Sequence, residues 1–102
     1  MEKDITILDF IERLRLRINF NAIKIVDFWE SDLCSIGIMK ENKLIYISTF
    51  NYVDDEKLMY DFDLEILDKD DNENINVVKE GRNIGEEELM HEIKIFLSDL
   101  NN

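Results

Sequence analysis

Two hydrophobic periods divide this chain into a helix, a run of strands and a second helix. Ile7, Leu8, Ile11 and Leu14 recur at helical spacing, which predicts a helix from about Thr6 to Leu16. Thr6 followed by Asp9 resembles a capping box with Asp in place of Glu, and Asp9 and Arg13 make an i,i+4 pair of favourable orientation. Arg13 to Ile18 also alternates, so the end of this element is compatible with a strand. The helix is preferred because helical spacing and a cap begin seven residues earlier.

From Ala22 the period becomes two. Ile23, Ile25 and, if the strand runs that far, Trp29 share one face, while Lys24, Val26 and Phe28 share the other. Glu30-Ser31-Asp32 breaks the run, and Leu33 to Met39 resumes it. Glu41-Asn42 predicts a tight hairpin turn, with Asn42 able to take a positive φ. Lys43 to Phe50 forms the next strand, Asn51 to Lys57 a polar turn, and Leu58 to Leu67 a further strand. A loop from Asp68 to Asn74 precedes a short strand from Ile75 to Lys79, closed by Gly81 and Gly85. The last helix spans Glu86 to Leu100, with Leu89, Ile93, Phe96, Leu97 and Leu100 as its apolar stripe. This order predicts a single α+β domain over residues 1–102. It has two layers, an antiparallel meander of about five strands with an N-terminal and a C-terminal helix on one face. The other face is then open to water or to a partner.

Composition fits a folded body with polar outer faces: 45% of the 102 residues are hydrophobic and 35% are charged. No apolar run reaches the roughly 18 residues of a spanning helix, and the N-terminus lacks the layout of a signal peptide. The expected location is the cytoplasm. With no proline in the chain, acidic side chains have to protect exposed sheet edges. Cys34 is the only cysteine and His91 the only histidine. That excludes an internal disulfide and a cysteine-based metal site, and no motif around either residue supports a catalytic dyad. Cys34 reads as a small buried hydrophobe and His91 as an exposed helix residue.

Charge changes the picture most. Residues 1–51 carry a net −1 and residues 52–102 a net −11, within a total of −12. Such a field repels nucleic acid and anionic membrane and favours cationic partners. Glu86-Glu87-Glu88 is accounted for by the dipole of the helix it begins. Arg13, Arg15 and Arg17, the one basic cluster, are expected to pair internally with the acidic half or to serve self-association.

The remaining acidic block is the candidate binding site. Asp61, Asp63 and Glu65 alternate with Tyr60, Phe62, Leu64 and Ile66. On an extended strand the three carboxylates share one face about 6.6–6.8 Å apart, close to the spacing of phosphates along a nucleic-acid strand. Like charges in a row repel one another, so such a row costs stability unless something offsets it. Asp54, Asp55 and Glu56 precede the strand, and Asp68, Asp70, Asp71 and Glu73 follow it. The 68–80 segment nearly spells a calcium-binding loop. Glu73 stands where the turn needs glycine and Lys79 where the bidentate Glu belongs, so an acidic hairpin loop is the expected form. No metal or cofactor is expected.

The strand Lys43 to Phe50, the acidic-alternating run Tyr60 to Ile66 and the closing helix from Glu87-Glu88-Leu89 to Phe96-Leu97 resemble small acidic bacterial immunity proteins. These belong to polymorphic and contact-dependent toxin systems. The resemblance covers about the last 60 residues and is one of style, with no invariant motif and no site residue to carry over. It implies an intracellular protein that binds and neutralises a cognate toxin domain, often a basic nuclease. A non-enzymatic chain, monomer or weak dimer, is expected. Two alternatives use the same acidity: a phage-encoded nucleic-acid mimic of the anti-CRISPR type, and an acidic secretion chaperone.

Overall fold

The computed structural model describes residues 2–68 and 74–98. Its elements are helix α1 (Ile5–Arg15), strands β1 (Lys24–Val26), β2 (Ser35–Lys40), β3 (Lys43–Ser48), β4 (Tyr60–Leu67) and β5 (Ile75–Ile84), and helix α2 (Glu86–Leu97). Short 3₁₀ turns at Phe20–Ala22 and Phe50–Tyr52 join α1 to β1 and β3 to β4. The sheet is an antiparallel meander in the order β1-β2-β3-β4-β5. Both helices pack on one face of it, so the α+β two-layer architecture holds. No helix among the described residues is long and apolar enough to cross a membrane.

Strand alternation builds the core. Ile25, Ile38, Ile45 and Leu64 line up across four strands, and Ile36, Ile47 and Phe62 form a parallel row. Against these rows α1 places Ile7, Phe10, Ile11 and Leu14, and α2 places Leu89, Met90, Ile93 and Leu97. Each such side chain contributes about 1.5–3 kcal/mol by leaving water. Phe10 and Tyr60 meet with ring centroids 5.2 Å apart.

Local chemistry departs from the sequence reading at several places. The cap of α1 is Asp4, whose carboxylate accepts from the Thr6 backbone N–H at 3.0 Å, so Thr6 is inside the helix. Arg13 does not turn to Asp9. It makes a two-pronged ion pair with Glu86 at 2.8 Å, and Arg17 pairs with Glu87, also at 2.8 Å. The Tyr60 hydroxyl donates to Glu86 at 2.7 Å. Two of the three glutamates at the start of α2 therefore clamp the end of α1, beyond complementing the dipole. This is the internal pairing expected of the basic cluster; Arg15 pairs locally with Glu12.

In the β2–β3 hairpin the positive φ (54°) falls on Glu41 and not on Asn42. Asn42 instead ties the hairpin to β4, its carbonyl accepting from Leu67 N–H at 2.8 Å. Strand β5 runs five residues past Lys79 and passes through Gly81. A Cβ there would stand 2.0 Å from the Phe62 ring, so Gly81 is a close approach inside a strand and not a terminator.

Candidate functional site

The second face of the sheet carries the acidic row, and it is not simply open. Lys24, Met39, Leu44, Glu65 and Val77 lie across it, followed by Val26, Gly37, Tyr46, Asp63 and Glu80, then Ser35, Ser48 and Asp61. The segment between β1 and β2 folds back over this face. Trp29 does not continue the Ile23–Ile25 face, because the chain leaves the strand after Val26. Its indole reaches the opposite side and meets Tyr46 edge-on at 4.7 Å between centroids. Gly37 makes room beneath: a Cβ there would fall 2.7 Å from Val26 and 3.1 Å from Trp29.

Lys3 anchors that segment. Its side chain is buried, and Nζ donates to the carbonyls of Trp29 (3.1 Å) and Asp32 (2.7 Å) while pairing with Asp27 at 2.7 Å. Three acceptors around one ammonium fix the loop's path and offset the cost of burying the charge.

Asp61, Asp63 and Glu65 do share one face, as the alternation predicts, but they stand in three different environments. Asp61 is 9% exposed. It accepts from the Tyr52 hydroxyl (2.5 Å), the Asn51 amide (3.2 Å) and the Asn83 backbone N–H (3.1 Å). Asn83 has a positive φ of 56° and sits where the β4–β5 register shifts between Tyr60 and Phe62. The Asp61 carboxylate thus pins a bulge in β5 and the turn after β3. Its hydrogen bond pushes the Tyr52 hydroxyl above its ordinary pKa.

Asp63 lies 2.9 Å from Arg82. The Arg82 Nη1 hydrogens are directed at the Phe62 and Gly81 carbonyls (2.9 and 2.8 Å), so Oδ1 of Asp63 receives the charge without a well-aligned hydrogen bond. The pairing holds the Arg82 guanidinium above its ordinary pKa. Arg82 is therefore the main offset to the acidic row. It escapes a sequence reading that ends the strand at Lys79.

Glu65 is also 9% exposed, yet no hydrogen bond or ion pair reaches it among the described residues. It stands in the wall of a cavity of about 480 Å³ whose other sides are mainly apolar: Phe28, Trp29, Leu44, Leu67 and Ile75. Burial, and secondarily the charge of Asp63, push its carboxyl above the ordinary glutamate pKa. The Phe28-Trp29 pair, at a place where the strand period fails, is the sequence signal that marks this wall.

Asp54, Asp55 and Glu56 are exposed in the turn that follows Tyr52, beyond the Asp61 end of the strand. Asp68 is half-buried at the other end. Asp70, Asp71 and Glu73, with most of the calcium-like loop, lie outside the described residues. Among the described residues no three His, Cys, Asp or Glu side chains converge on a metal position.

Cys34 is half-buried beside Leu33 and Phe50, and burial raises its thiol pKa, with Asp4 adding to the shift. That disfavours the thiolate a nucleophile needs. His91 is exposed on α2, in a separate cleft with Arg17 and Glu87. Comparison of the chain with family models, curated proteins and solved structures gives no match. The functional reading therefore rests on this surface.

Proposed function

We propose that this chain is a non-catalytic inhibitor that binds and neutralises a basic protein, such as a nuclease-like toxin domain, through its acidic sheet face and the turn beside it. The observation that carries the reading is the net charge of −12, concentrated in residues 52–102. A nuclease site is cationic because it holds phosphates, so an anionic surface both steers toward it and obstructs it. The exposed group Asp54, Asp55 and Glu56 supplies free charge for steering. The buried row supplies a fixed floor. Opposite fields raise association above the neutral range of about 10⁵–10⁶ M⁻¹s⁻¹, as an antidote requires.

The nucleic-acid mimic is less favoured, because a mimic needs a line of free charges. Here the Asp61 carboxylate is bound by three donors and Asp63 by Arg82.

Charge reversal across Asp61, Asp63 and Glu65 would break internal bonds as well as any interface. The discriminating variant is Asp54→Lys, Asp55→Lys, Glu56→Lys, at residues that make no side-chain bond among the described residues. Partner captured from the source cells is to be titrated with wild type and triple variant across a salt series. The expected results are an association rate that falls steeply with salt, a clearly slower rate for the variant, and an unchanged melting temperature. A rate indifferent to both salt and the reversal would contradict the proposal.

A further inference from the structure

Two features of the outer face stand out: Glu65, a largely buried residue whose carboxylate meets no donor among the described residues, and the mainly apolar cavity it faces. An ordinary solution for a buried glutamate is a paired lysine or arginine, as Asp63 has in Arg82. Among the described residues, neither lysine nor arginine lines this cavity. Among the described residues, the only other ionisable group in its wall is Glu41, at the β2–β3 turn. The charge that the described residues bring to the cavity wall is therefore negative, while the wall itself is mainly aromatic and aliphatic. Its volume of about 480 Å³ falls within the range of ligand-binding cavities, roughly 300–1,000 Å³.

We propose that this cavity receives an arginine side chain of the basic partner. The guanidinium meets Glu65 and the Trp29 indole, and the methylene stem lies against Leu44 and Leu67. Arginine fits better than lysine for two reasons. Its planar head stacks on an indole while bonding a carboxylate in a forked geometry, and it is less strongly hydrated than an ammonium, so it enters a desolvated site at lower cost. A neutral apolar side chain would fill the volume but leave Glu65 buried and unpaired. A free carboxylate-bearing ligand would meet Glu65 and Glu41 together.

The loop anchored by Lys3 makes the cavity's Trp29 wall a fixed part of the fold, so the site is formed before the partner arrives. An arginine buried at its centre is the type of residue that dominates the energy of protein interfaces. The inference rests on the proposed function for the source of the arginine, but the cavity can be tested without the partner.

The probe is N-acetyl-arginine-N-methylamide, titrated into the isotope-labelled protein while the Trp29 indole N–H resonance is followed. N-acetyl-norleucine-N-methylamide serves as the neutral control. A saturable shift of Trp29 is expected with the arginine compound at millimolar concentration, the scale of a single side chain, and at least about tenfold weaker binding with norleucine or with Glu65→Gln. Gly37→Ala, which displaces the Trp29 seat, is expected to weaken binding while leaving the Glu65 carboxylate in place.

Equal binding of both compounds, undiminished binding to Glu65→Gln, or no movement of Trp29 up to tens of millimolar would each overturn the proposal. Failure here is separable from failure of the proposed function. A basic partner whose binding falls with salt and with the Asp54–Glu56 reversal, but is unchanged by Glu65→Gln, would retire the cavity alone. Specific binding of the arginine probe, with no partner sensitive to that reversal, would keep the arginine site and retire the inhibitor reading.

Discussion

Asp61 and Glu65 stand near opposite ends of the same face of β4, and each is 9% exposed. The first is held by a phenol, a side-chain amide and a backbone N–H, while nothing in the described fold donates to the second. Burial alone therefore does not mark a site on this face. One end of the strand spends its carboxylate on architecture, holding a left-handed residue in β5 and the turn that follows β3. The other end keeps a carboxylate in a mainly apolar wall, where burial costs stability and no described residue pairs with it. That cost is what a group kept for a ligand looks like.

The comparison is broken most forcefully at the architectural end. Asp61→Ala strands the Asn83 N–H and the Tyr52 hydroxyl, and is expected to lower stability by about 3 kcal/mol in equilibrium urea unfolding. A smaller blow falls on the Trp29 wall. Gly37→Ala is expected to cost about 2 kcal/mol, because a Cβ 2.7 Å from Val26 forces the neighbours to shift, and to move Trp29 emission to the red. Tyr52→Phe removes one of the three donors to Asp61 and is expected to cost about 1 kcal/mol. If Tyr52→Phe were neutral, the architectural role of Asp61 would be smaller than its bonding suggests.

Acid sharpens the same contrast through the sign of linkage. Glu65 has a raised pKa in the fold, so the folded state binds its proton more readily than the unfolded chain does. Its penalty is absent below the unfolded glutamate value and grows as pH rises through the folded value. Glu86 has the opposite sign. Burial pulls its pKa upward, but hydrogen bonds from Arg13 and Tyr60, with their charges, outweigh this and leave it lowered. Its contribution is present above the unfolded value and disappears as pH falls through the folded one. Melting temperatures of Glu65→Gln and Glu86→Gln are expected to diverge from wild type in opposite directions at neutral pH. Both differences should shrink in acid.

The inner face was legible in the sequence because strand alternation and helical spacing both encode it locally. The meander, its five strands and the shared face of Asp61, Asp63 and Glu65 followed from those periods, as did most of both helix stripes. Phe10 and Met90 join the buried faces in addition, Leu8 and Phe96 are only half-buried, and Leu100 lies outside the described residues. What distinguishes those three carboxylates was not legible, because their partners arrive from elsewhere in the chain. Asn51 and Tyr52 come from the preceding turn, Arg82 and Asn83 from the far end of β5. The period allows Trp29 on the Ile23–Ile25 face only if the strand runs that far; it stops after Val26 and gives no guide across the loop. The anchor of that loop, Lys3, bonds carbonyls 26 and 29 residues away, a distance no local pattern reports. Gly81 read as a terminator because a glycine under a ring and a glycine at a strand end look alike in one dimension.

Equilibrium unfolding of Glu65→Gln beside Asp61→Asn at neutral pH tests the central contrast most directly, since both substitutions replace a carboxylate by an amide of the same shape. The account predicts that Glu65→Gln is at least as stable as wild type, while Asp61→Asn is clearly less stable. Equal losses in the two variants would mean that Glu65 is as firmly built into the fold as Asp61, and would contradict the assignment of its end of the face to a ligand.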